Sequence, residues 1–187
     1  MEICFRSRGR TVTFSLMKFK AIALLSVLMV FVPGLLDAKT LKFPKENPQF
    51  SVTFPNNWKA EITDAGIISA QPKGGAYAIS IFPVQATTAR GAIEETLAEV
   101  NKRFSEVKAG EPVDFSNDSG IKFLEKDFTA KDKDSPRALA IVGFTVDKES
   151  YFALFQAGTP EGDKQYTQDV VAIVKSITPM KTQKDDD

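Results

Sequence analysis

The stretch FSVTFPNNWKAEI, Phe50 to Ile62, holds the only tryptophan of the chain. Phe50, Val52 and Phe54 alternate with Ser51 and Thr53, and a period of two with one apolar face marks a half-buried strand. Pro55-Asn56-Asn57 is turn chemistry, because proline presets φ and asparagine tolerates left-handed backbone. The alternation then resumes, with Trp58, Ala60 and Ile62 on one parity and Lys59, Glu61 and Thr63 on the other. Trp58 therefore belongs to the apolar face of a second strand. It reads as a structural anchor rather than a stacking platform, and its buried N–H needs an acceptor nearby.

Downstream, Asp64-Ala65-Gly66 and Lys73-Gly74-Gly75 make turns around the short strand IISAQP, and Ala76 to Val84 is a nearly continuous apolar strand. The period then changes. Ile93, Leu97, Val100, Phe104 and Val107 form a helical stripe, with Glu94, Glu95 and Glu99 on the wet faces, Thr87 or Thr88 as cap and Gly110 at the end. Strand signals return in PVDF and GIKFLEKDFTA, followed by the polar loop KDKDSP, and then in RALAIVGFTV and YFALFQAG. The last two are apolar at consecutive positions, so both of their faces must be covered. A closing helix starts at Thr159-Pro160 or Asp163 and carries Tyr166, Val170, Ile173 and Ile177 as its stripe. Short turns make the pairing antiparallel. The expectation is a single-domain α+β fold, an α/β/α sandwich whose mainly antiparallel central sheet has helices on both faces.

The N-terminus has a different character. From Met17, Lys18 and Lys20 precede an uncharged, mostly apolar run, Ala21 to Leu36, and small Ala38 follows. This is the layout of a secretory signal peptide over residues 1–38 with cleavage between Ala38 and Lys39, translation starting at Met1 or Met17. The run is shorter than the roughly 20 residues of a spanning helix, although Leu36 is bulky for the −3 position and leaves an uncleaved anchor open. Residues 39–49 read as a polar lead-in, 50–179 as the domain and 180–187 as a disordered charged tail.

Cleavage leaves residues 39–187, enough for one domain. It removes Arg6, Arg8, Arg10, Lys18 and Lys20 against Glu2 and Asp37, so 24 cations and 24 anions become a net charge of about −3. Interspersed signs with that balance disfavour a nucleic-acid groove. The chain has no histidine, and its single cysteine, Cys4, lies before the cut. Histidine triads, histidine-ligated zinc and thiol chemistry are thereby excluded from the mature chain. No G-x-S-x-G, Walker A or G-x-G-x-x-G pattern occurs.

The strand–Pro–turn–Trp opening FSVTFPNNWK, the meander, the long amphipathic helix and the ending KSITP together resemble one family. It is the fold group of photosystem II protein PsbP and Mog, and most of all its uncharacterised bacterial secreted members. The resemblance spans Phe43 to Pro179. It implies an α/β/α sandwich and a non-enzymatic accessory role played through protein contacts. No catalytic motif is carried over, and without histidine neither is a histidine-based metal site.

The remaining chemistry rests on carboxylates. Glu125 and Asp127, at i and i+2, share one strand face and form a possible acid/base pair. An exposed patch or strand end is the plainer reading, because no partner acid or pocket follows from the spacing. Asp132 and Asp134 have oxygens for Ca²⁺, but interleaved lysines oppose a dication and favour a solvated hairpin. Asn117-Asp118-Ser119 fits a glycosylation sequon, yet with Gly120 it reads better as a turn. Asp185 to Asp187 is tail charge.

The expectation is thus an exported, periplasmic or secreted, non-enzymatic accessory protein. Its partner is an envelope protein rather than nucleic acid, it uses no cofactor, and it meets a membrane only if the N-terminal segment stays uncleaved. The alternative is a periplasmic carrier of a small apolar ligand held between sheet and helix, although phenylalanine is usually buried for packing.

Overall fold

The computed structural model describes residues 38–180. The expected signal segment before Ala38, the candidate start at Met17 and the expected tail from 181 lie outside the described residues. Ala38 and Lys39, the expected cleavage pair, stand at the entrance to the first strand, β1 (Lys39–Phe43).

β1 pairs antiparallel with β2 (Phe50–Phe54) in full register, Lys39 opposite Phe54 and Phe43 opposite Phe50. The residues expected to be a lead-in are therefore part of the domain, with Phe43 fully buried. The pattern hid them because only Leu41 and Phe43 turn inward, while Lys39, Thr40 and Lys42 remain exposed. Phe50, Val52 and Phe54 are all buried, as their alternation requires. β11 (Thr178–Pro179) joins the other edge of β2 and completes a three-stranded sheet.

The main sheet contains β3 (Trp58–Ile62), β4 (Ile68–Pro72), β5 (Tyr77–Val84), β6 (Ser105–Ala109), β7 (Val113–Ser116), β8 (Lys122–Asp132), β9 (Ser135–Thr145) and β10 (Tyr151–Gly158). Its order is β3-β4-β5-β10-β9-β8-β6, with β7 also paired to β8, and every ladder is antiparallel. The loop KDKDSP shrinks to a tight hairpin, since Asp132 already pairs with Ser135.

The helix α1 (Ala89–Arg103) carries the chain from β5 to the far edge at β6. Thr88 caps it, its Oγ1 accepting from the Gly91 N–H at 2.9 Å. The helix stops earlier than its stripe predicts. Phe104 is already extended and Val107 lies in β6. The turn into β6 leaves Phe104 and Val107 packed on the same apolar cluster, so the hydrophobic period alone does not register the end of the helix. Gly110 does not close the helix but donates its N–H to Asp127 O at 2.8 Å.

The second helix, α2 (Pro160–Lys175), starts with proline at its first position, where no amide is needed. Thr159 accepts from the Gly162 N–H at 3.0 Å, and Glu161 and Asp163 sit favourably in the first turn.

The two helices take opposite faces of the main sheet. Ile93, Val100, Phe104, Leu124, Phe128 and Ile141 form the core under α1. Val142, Phe144, Phe152 and Leu154 face the other way, toward α2 and the small sheet. This explains the consecutive apolar runs of β9 and β10: each neighbouring pair feeds a different core. No described helix is long and apolar enough to cross a membrane.

Candidate functional site

Most of the described phenylalanines are buried in the core. Phe50 packs on Phe152 with ring centroids 5.0 Å apart and on Phe144 at 5.6 Å, and Phe43 lies 5.5 Å from Phe50. These are edge-on or tilted contacts of ordinary aromatic packing. Trp58 is likewise buried. Its Nε1 donates to Asp169 Oδ2 at 2.8 Å, the acceptor its burial requires.

A different part of the α2 side has unusual chemistry. Residues opposite one another in register share a sheet face, so Asp127, Ala140, Gln156 and Ile79 form one row across β8, β9, β10 and β5. Glu125 stands two residues along the same face, opposite Val142. The first turn of α2 brings Asp163 to this end of the sheet. The buried Tyr77 hydroxyl donates to Gln156 Oε1 at 2.7 Å, with Asp163 Oδ1 as a second acceptor at 3.4 Å. The Nε2 of buried Gln156 has no hydrogen-bond partner.

Three carboxylates thus gather without an ion pair. Among the described residues the ion pairs lie elsewhere, at Glu99–Lys102, Glu106–Lys131 and Asp132–Arg137. Burial, then the charges of Asp127 and Asp163, pushes the Glu125 carboxyl above its ordinary range. Burial, then the Asp163 charge, does the same to Asp127. Tyr77 is pushed far up by its own burial and then by Asp163, so it remains a neutral donor.

Two concavities meet at this cluster. An open cavity of about 400 Å³ is lined by Lys108, Gly110, Asp127, Thr129, Ala138 and Asp163. A groove of about 320 Å³ runs between α2 and β7, walled by Val113, Phe115, Val170, Val171 and Val174, with Glu125 in its lining. Val113 and Val171 are its exposed apolar rim, at 56% and 42% exposure. Glu125 and Asp127 are two residues apart on one face, about 7 Å along a strand. Glu125 lines the groove and Asp127 the cavity, so the two concavities are neighbours along β8 and are together called the trough.

The carboxylate pair is therefore neither a strand end nor a simple wet patch. It lies within β8, with Glu125 half-buried and Asp127 exposed at the cavity. Asp163, Tyr77 and Gln156 are the members that sequence reasoning missed, since no spacing rule links them to β8. Asp132 and Asp134 do not come together as a cation site: Asp132 pairs with Arg137 at 3.3 Å, and Lys133 between them turns the hairpin at φ 57°. No cluster of three candidate metal ligands occurs among the described residues. Asn117 is the start of a turn, as expected, with Gly120 N–H donating to its carbonyl at 3.0 Å.

No protein-family model and no curated protein sequence matches the chain. Solved structures do superpose on it. The cyanobacterial PsbP of Synechocystis sp. PCC 6803 aligns over 80% of this chain and 96% of its own, with a TM-score of 0.56 at 10% identity. LpqN, described as involved in cell envelope biogenesis of Mycobacterium tuberculosis, aligns over 77% and 92%, with a TM-score of 0.54 at 9% identity. The fold is PsbP-like. The protein of unknown function PA94 from Pseudomonas aeruginosa also shares it, over 78% of this chain and 99% of its own, at a TM-score of 0.50 and 12% identity. At such identities the PsbP-like architecture is what is shared, and no trough residue is carried over from these proteins.

Proposed function

We propose that this PsbP-like protein is an exported, non-enzymatic accessory factor that docks on another protein of the cell envelope. The groove between α2 and β7 carries the reading. Its apolar rim of Val113 and Val171 is exposed, where monomeric surfaces ordinarily bury or scatter such side chains. The signal-like segment before Ala38 and a sequence without histidine support the same reading. So does the PsbP-like neighbour described in terms of envelope biogenesis.

A photo-crosslinking side chain at Val171 tests it in intact cells, with the same probe at exposed Lys59 on β3 as control. One partner captured at Val171 and not at Lys59 is the expected result, together with a mature N-terminus at Lys39. A small apolar molecule retained through native mass spectrometry, with no adduct at Val171, overturns docking in favour of a carrier.

A further inference from the structure

We infer that the trough recognises an extended polypeptide segment of the partner in which an apolar side chain is followed, two or three residues on, by a lysine or arginine. This rests on the docking reading above and specifies the chemistry of its occupant.

The two ends of the trough differ in kind. Val113, Phe115, Val171 and Val174 offer apolar surface to one side chain. Asp127 and Asp163 line the adjoining cavity, and Glu125 stands between. Glu125 in the groove and Asp127 in the cavity are about 7 Å apart along β8, a step an extended chain covers in two residues. Lys108 in the cavity and Lys175 in the groove are the cations of the two linings, against the three carboxylates of Asp127, Asp163 and Glu125. An arriving cation thus meets a net negative site. A carboxylate ligand meets like charge that is already half-desolvated, which is the repulsive half of specificity.

A second observation points to a missing polar group. Gln156 is 3% exposed, its Oε1 is occupied by Tyr77 and its Nε2 has no partner, in the same cross-strand row as Asp127. Buried amide nitrogens are almost always satisfied, and an exception calls for a ligand or water acceptor. The acidic cluster also costs stability in the unbound protein, since burial and mutual repulsion raise two of its carboxyls. Groups that strain the fold in this way concentrate at functional sites.

The test uses the full chain and three blocked heptapeptides, followed by calorimetry and by amide shifts in NMR. The first has Val and Leu at its second and third positions and Lys at its fifth. The second replaces that Lys by Glu, and the third replaces Val and Leu by Ser. The Lys peptide is expected to bind at least about tenfold more tightly than either control and to weaken as salt rises. Glu125→Gln with Asp127→Asn is expected to remove most of that preference, while Val171→Asp lowers affinity for all three. Equal binding of the Lys and Glu peptides overturns the inference, as does no binding of any peptide at millimolar concentration. Should Val171 crosslink one envelope partner equally in wild type and in the Glu125/Asp127 double variant, docking survives and recognition of a cation fails.

Discussion

Trp58 on β3 and Asp169 on α2 are joined by a 2.8 Å hydrogen bond from the indole Nε1 to Oδ2, and Asn57 Nδ2 donates to the same oxygen at 3.2 Å. Tyr166 of α2 and Tyr77 of β5 meet the indole edge-on, at 5.8 and 6.3 Å. The ring therefore ties an outer strand of the main sheet to the helix above it. Trp58→Phe keeps much of the packing but loses the charge-assisted bond, and should lower stability by about 2 kcal/mol in urea denaturation. Trp58→Ala should cost about 3–5 kcal/mol. An unchanged midpoint for Trp58→Ala, together with a lost binding event, would restore the platform role.

Asn117 serves the far end of the same helix. Its Nδ2 donates to Ile177 O at 2.8 Å and Val174 O at 3.3 Å, while its Oδ1 accepts from the N–H groups of Ser119 and Ile121, both at 3.1 Å. One buried side chain thus bonds carbonyls at the C-terminal end of α2 and closes its own turn. Asn117→Asp turns both donors into acceptors facing carbonyls, and is expected to cost about 3 kcal/mol. The amide nitrogen that a glycan would occupy is already engaged, so intact-mass analysis should find this sequon unmodified.

What the sequence disclosed and what it hid divide along one physical line. Local periodicity reports which side of an element is buried, so the spacing of Phe50, Val52, Phe54 and Trp58 alone assigns them to the interior, where they lie. The same signal fails where few side chains turn inward, as in β1, or where helix and strand bury their residues in one core, as at Phe104 and Val107. Strand order is non-local, and nothing in YFALFQAG says that β10 inserts between β5 and β9. The trough is hidden for the same reason. Glu125 and Asp127 are visible as a pair, but Asp163 comes near them only through the placement of α2, and Gln156 joins their sheet face only through the order of the strands.

Gly143 on β9 lets the first turn of α1 approach the sheet closely. A Cβ there would collide with the Ala89 carbonyl and backbone, which cannot rotate away as a side chain can. Gly143→Ala should therefore lower the urea midpoint by an amount equivalent to about 2–3 kcal/mol, the cost of overpacking. A neutral effect would mean that α1 slides freely on β9.

The acidic trough makes stability fall as pH rises. A carboxyl whose folded pKa is raised keeps its proton to higher pH in the native state than in the unfolded chain, so the native state binds more protons between the two values. Glu125 and Asp127 both behave in this way, from reference values of 4.5 and 3.8. Their destabilising effect is absent below those values, grows above them and is complete once the folded pKa is passed. The groups facing them are Asp163 and Lys175 on α2, Tyr77 on β5 and Lys108 on β6. Glu125→Gln with Asp127→Asn removes the penalty, so the double variant should melt above wild type at pH 7, with the gap closing toward pH 4. Asp147 has the opposite sign: burial raises it, but the N–H groups of Ser150 and Glu149 outweigh that and lower it. It is common to both proteins and cancels in the difference curve. A cationic peptide that neutralises the trough should likewise raise the wild-type melting temperature more at pH 7 than at pH 4.5. A flat difference curve would show that the carboxylates are already compensated in the free protein, and the strain argument for the site would fall with it.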